Sequence, residues 1–168
     1  MPNILDIISR PIRTTATKSA VDVVSQPIKK ASDYWIRNNK ISEADLEESK
    51  AILFGEISNR PPEKQKLEAQ TILNTAFNRI EEYGKRGMKK TLTEVLQMPN
   101  QYQAYMGKQY KKFKSGFTEE LDNPKIDSIN SVIDEVKSGT FQNNIGASVF
   151  YSHKPDGRII ATNNKLFK

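Results

Sequence analysis

Three long stretches of the chain place apolar residues at helical spacing, and two short ones near its end read as strands. The first helix opens at Ser42, a cap residue with Asp45 three positions on, and Leu46, Leu53 and Ile57 then fall on one face. Phe54 flanks that face on one side and Glu56 on the other, and Asn59-Arg60-Pro61-Pro62 ends the helix. A second helix starts near Pro62 or Glu63, since proline is tolerated in a first turn. Its apolar stripe is Ala69, Ile72, Leu73, Ala76, Phe77 and Ile80, and Gly84 is its expected stop. Thr91-Leu92-Thr93-Glu94 is a capping box for a short helix through Gln97, followed by a turn over Met98-Pro99-Asn100-Gln101. Residues 102–122 are polar, aromatic and basic and suggest no element. Asn123-Pro124 opens a last helix with Ile126, Ile129, Ile133 and Val136 inward and Gly139 at its end. Ala147–Tyr151 and Arg158–Thr162 read as strands joined by the turn Lys154-Pro155-Asp156-Gly157. The pattern predicts a mostly helical α+β fold with one late β-hairpin.

Residues 1–40 stand apart. They carry seven Lys/Arg against three Asp/Glu, whereas the remainder carries 19 against 17. Ser9-Arg10-Pro11-Ile12-Arg13 is echoed by Ser25-Gln26-Pro27-Ile28-Lys29, and the two prolines interrupt any continuous helix. This predicts a basic arm or docking segment over 1–40, helical in pieces or poorly ordered, and one folded domain over 41–168. A length of 168 residues suits that division.

Composition narrows the chemistry. With no cysteine, disulfide scaffolds, thiol catalysis and thiolate metal sites drop out together. The single histidine, His153, argues against histidine-rich metal sites and serine–histidine catalysis, so any proton chemistry rests on carboxylates. No apolar run approaches the roughly 20 residues of a membrane span. Residues 1–6 lack the basic start and long apolar stretch of a secretory signal. A net charge of +6 and a pI near 9.4 point to a polyanionic partner: nucleic acid, an acidic lipid surface or an anionic cell wall. Two basic runs, Lys85–Lys90 and Lys108–Lys114, the second holding Tyr110 and Phe113, suit such a partner or a plain solvated face.

Three blocks carry a resemblance. Ile52-Leu53-Phe54-Gly55-Glu56-Ile57-Ser58-Asn59-Arg60-Pro61, with Glu63, Gln65 and Ile72-Leu73-Asn74, resembles the opening of the SleB-type cell wall hydrolase family, which runs from E-A-R-G-E-P through G-Q to I-L-N. Placing Glu56 on the first glutamate aligns Pro61, Gln65 and Ile72-Leu73-Asn74 without a gap. Thr91–Gln97 with Pro99, Gln101 and Tyr102 is similar to the family's T-I-x-x-V-I-x-x-P-x-Q-F, and Gly146–Tyr151 to its G-A-x-x-F-Y. The blocks keep the family's order and span roughly residues 50–152. The chain departs from the pattern where A-R-G-E becomes Ile57-Ser58-Asn59-Arg60, so that arginine replaces the family's second glutamate.

The resemblance implies a lysozyme-like domain that cleaves the MurNAc–GlcNAc bond of peptidoglycan glycan strands. It implies Glu56 as the single acid/base of a lytic transglycosylase, with no metal and no organic cofactor. A sugar-cleaving acid must protonate the leaving oxygen and needs an apolar setting to keep its proton at neutral pH. Glu56 lies between Leu53, Phe54 and Ile57, which fits; on the residue pattern alone a solvated helix glutamate fits as well. A two-carboxylate glycosidase would need a partner, for which Glu63, Glu68, Glu94 and Glu120 qualify by type only. Candidate substrate contacts are Gln101 and Tyr102 after the proline turn, Tyr151 at a strand end, Asn74 off its helix stripe and therefore free to aim at Glu56, and Ser58 beside Glu56. A buried tyrosine, a core aromatic and an exposed asparagine are the plainer accounts of Tyr102, Tyr151 and Asn74.

A wall-degrading enzyme without an export signal suits a phage, either released at lysis or carried in the virion, where residues 1–40 would dock onto other virion proteins. The rival expectations are a non-catalytic virion or wall-binding protein that keeps the fold, a hydrolytic muramidase, and a basic nucleic-acid-binding module.

Overall fold

A computed structural model of the protein describes residues 32–99, 102, 105–153 and 159–162, all within one unit, residues 31–168. Residues 33–42, assigned mostly to the arm by their charge, instead form an antiparallel hairpin of β1 (Asp33–Ile36) and β2 (Asn39–Ser42). Its two-residue turn puts Arg37 and Asn38 at φ 48° and 65°, the mirror-image geometry that matches strand twist. Ile36 and Ile41 are buried in the main core, so the folded body begins before residue 40. The rest of the expected arm, residues 1–31, lies outside the described residues.

Ser42 ends β2 and caps α1 (Glu43–Glu56). Its hydroxyl accepts from the Asp45 amide at 3.0 Å, and the Asp45 carboxylate accepts the Ser42 amide at 3.1 Å. The other Asp45 oxygen accepts the amide and hydroxyl of Thr93 at 3.1 and 2.7 Å, tying a later helix to the start of α1. Four consecutive residues, Ala51 to Phe54, have no exposed surface. The expected single apolar face is therefore a helix enclosed on several sides, by α3 (Leu92–Leu96), α4 (Lys108–Lys114) and α5 (Asn123–Ser138). Each large apolar side chain so buried contributes roughly 2 kcal/mol.

α2 (Pro62–Lys85) follows the tight Ser58–Pro61 connection, with proline in its first turn. It is buried at every position from Thr71 to Ile80 and packs on α5, α3 and a second hairpin. Gly84 sits inside its last turn, and Gly87, at φ 75°, makes the left-handed exit expected at Gly84. α3 carries the expected capping box of Thr91 and Glu94. The stretch with no expected element holds α4 and a 3-10 turn, Glu120–Asp122. α5 ends, as its pattern predicts, at left-handed Gly139. β3 (Phe150–His153) and β4 (Ile159–Thr162) pair antiparallel in the register Phe150↔Thr162, with β3 starting three residues later than expected. Among the described residues the fold is mostly helical α+β with two separate two-stranded sheets. Among the described residues no helix is long and apolar enough to cross a membrane.

Candidate functional site

Glu56 is the last residue of α1. Ile57 leaves the helix in extended geometry, its amide donating to the Leu53 carbonyl at 2.9 Å. Leu53, Phe54 and Ile57 are buried, while Glu56 is half-buried at their edge. The helix end is held by Lys125 of α5, whose ammonium donates to the carbonyls of Ile57 at 2.7 Å and Phe54 at 3.4 Å and lies 4.8 Å from the Phe54 ring centre. A cation at a helix C-terminus satisfies the last carbonyls and complements the dipole. Burial pushes the Lys125 ammonium below its ordinary pKa, against the pull of Asp122 and Glu68.

Tyr151 of β3 donates its hydroxyl to Glu56 Oε2 at 2.8 Å. Its ring lies 6.2 Å from that of Tyr102, tilted by 34°. Tyr102 is buried, with its hydroxyl 3.3 Å from Thr75 Oγ1 on α2. Between Tyr102 and Phe150 lies the Arg79 guanidinium, 5.1 and 4.5 Å from the two ring centres, donating through Nε to the Val149 carbonyl at 2.6 Å. Arg79 is 2% exposed, and its Nη1 has no hydrogen-bond partner among the described residues. Burial raises both phenol pKa values; the Glu56 charge adds to the rise and Arg79 opposes it, with Tyr151 moved well above its ordinary value. Both hydroxyls therefore remain proton donors through the neutral range.

The arrangement is a half-buried carboxylate aimed by one phenol, backed by a second phenol and a buried cation. It can deliver a proton and take one back at a fixed place. Glu56, Tyr102 and Tyr151 come from the three separate sequence blocks. Arg79 and Thr75 escaped the sequence reading, although they share the inward face of α2 with Ile72 and Ala76 at helical spacing.

The other expected contacts fall elsewhere. Gln101 lies outside the described residues. Asn74 is not aimed at Glu56. It is wholly buried, and its carbonyl accepts from Arg37 at 2.6 Å while its amide donates to the Gln142 carbonyl and Asn144 Oδ1 at 3.0 and 2.8 Å. Asn78 repeats the arrangement, accepting from Arg37 at 2.5 Å and donating to the Gly146 and Ser148 carbonyls at 2.8 and 2.6 Å. These two asparagines tie the first hairpin and the 142–148 loop to α2, and so hold β3 in place. Ser58 turns to α2, donating its hydroxyl to Glu68 Oε2 at 3.0 Å. Of the other carboxylates, Glu68 is 1% exposed beside Ser58, Glu94 is used in its capping box, and Glu63 and Glu120 are exposed.

No family model matches the chain, and neither a curated protein nor a solved structure matches it.

Proposed function

We propose that the protein cleaves the MurNAc–GlcNAc bond of peptidoglycan as a lytic transglycosylase on a lysozyme-like domain, with Glu56 as its acid/base. The observation that carries this reading is the meeting of Glu56, Tyr102 and Tyr151. These residues come from three distant blocks that resemble one family, and they converge on a single half-buried carboxylate. The protonated Glu56 carboxyl gives its proton to the glycosidic oxygen as the bond to the muramic acid anomeric carbon breaks. The 6-hydroxyl of the same sugar attacks that carbon and returns its proton to the Glu56 carboxylate, leaving a 1,6-anhydro end. No water is consumed and one carboxylate suffices. The Tyr151 hydroxyl keeps Oε2 aimed through both steps. The chain's positive charge would hold it to an anionic wall. Release at lysis or carriage in a phage virion, with residues 1–31 as a docking segment, fits such an enzyme.

Mass spectrometry of soluble products from purified peptidoglycan tests the reaction. Anhydro-muropeptides are expected. Reducing ends would make the protein a hydrolytic muramidase, and an absence of products would move the reading to a wall-binding or structural protein.

A further inference from the structure

Gly55 and Ile57, the chain neighbours of Glu56 on either side, line a pocket of about 730 Å³. One wall is Gly55 and the Ile57–Pro61 connection; the opposite walls come from α4, the 3-10 turn and the start of α5. Three cations line it. Lys112 is paired with Asp122 at 2.8 Å and Glu119 at 3.6 Å, both also in the lining. Arg60 is half-buried and, among the described residues, has no ion-pair or hydrogen-bond partner. Lys125 is 6% exposed and satisfied only by carbonyl oxygens and a ring face. A fourth group is the informative one. Gln65 is 4% exposed; among the described residues its amide reaches only the Ser58 carbonyl, at 3.4 Å, and its buried Oε1 has no donor. A buried acceptor left unmade is costly, so such a group marks a place where a ligand supplies the missing donor.

The pocket therefore asks for a ligand that carries an N–H or O–H donor together with an anion of carboxylate size. Guanidinium groups take carboxylates in paired hydrogen bonds. In peptidoglycan that combination is the peptide stem, which hangs from the muramic acid whose anomeric carbon Glu56 is proposed to serve. A stem subsite must then lie near the acid, and the residues on both sides of Glu56 in the chain line this pocket. We propose that the pocket binds the peptide stem of the substrate, with Gln65 Oε1 accepting a stem amide N–H and Arg60 and Lys125 facing a stem carboxylate. This inference rests on the peptidoglycan reading above. It gives a role to Arg60, which stands where the resembling family has glutamate.

The test uses full-length Glu56→Gln protein, which binds without turnover, titrated by NMR with muramyl dipeptide and, separately, with peptide-free chitotetraose. Muramyl dipeptide should shift the Gln65 side-chain amide and the 57–60 backbone. Arg60→Gln should weaken muramyl dipeptide about tenfold, the loss of one charge-assisted pair, and leave chitotetraose unchanged. Gln65→Leu, which removes the orphaned oxygen, should also weaken only the dipeptide. If chitotetraose binds and wild-type protein releases anhydro-products while neither variant alters dipeptide binding, the stem subsite is overturned and the enzyme reading stands. If neither ligand binds and no products form, both fall.

Discussion

On one flank of α2, Asn74 and Asn78 have their carbonyls and both amide hydrogens engaged, by Arg37 on one side and by the 142–148 loop on the other. On the adjoining stripe, one residue beyond Asn78, Arg79 is equally buried but its Nη1 has no partner among the described residues, packed between two aromatic rings beside the Glu56–Tyr151 pair. Both stripes bury strong polar groups in the same helix. The closed network engages the carbonyl and both amide hydrogens of each asparagine and fixes loops in place. The incomplete one leaves a buried donor beside the Glu56–Tyr151 pair. Buried polarity alone thus does not distinguish structure from chemistry, whereas the state of its hydrogen bonds does.

The comparison predicts unequal costs. Asn78→Ala removes three hydrogen bonds made from a buried position, so urea unfolding should show a loss of about 3 kcal/mol. Arg79→Met, of similar length and apolar, should cost only about 1 kcal/mol, because an incompletely paired buried charge contributes little net stability. It should nevertheless lower wall-degrading activity by loosening Tyr102 and Phe150. Equal stability losses in the two variants would break the comparison.

Tyr151→Phe removes only the hydroxyl that aims Glu56. Activity on purified walls should fall about tenfold, equivalent to roughly 1.4 kcal/mol, with the melting temperature little changed. A variant as active as wild type would show that the contact does not serve the reaction.

Asp45 sharpens the structural side. Burial pushes its carboxyl up, but the hydrogen bonds from Thr93 and Ser42 prevail and its pKa lies below the ordinary 3.8. Because the folded pKa is the lower, the carboxylate stabilises the fold above that value, and the contribution is lost as pH falls through the folded pKa. Asp45→Asn should therefore cost about 1 kcal/mol at neutral pH, and the gap from wild type should narrow as pH falls through the depressed pKa of the folded state.

Much of this was legible in the sequence where local chemistry decides. The capping residues Ser42 and Thr91, Pro62 at the head of α2 and Gly139 at the end of α5 all act where the pattern puts them. The first hairpin was not legible, because its turn is Arg37-Asn38 rather than a pair with glycine. Left-handed geometry costs such residues about 1 kcal/mol each, and the Arg37 bonds to Asn74 and Asn78 offset it only after α2 has packed. Asn74 misled for a related reason. A helix buried at every position from 71 to 80 has no solvent side, so lying off the apolar stripe does not mean facing the site. Lys125 and Arg79 were concealed by their type, since charged residues on inward faces are rare without partners.

The central claim is that Glu56 is the acid/base, and Glu56→Gln tests it most directly. The substitution keeps the side chain's shape and its acceptor for Tyr151. Circular dichroism should show an unchanged fold, while release of anhydro-muropeptides from purified walls should fall by about 10² or more. A folded Glu56→Gln protein that releases those products at the wild-type rate would contradict the account.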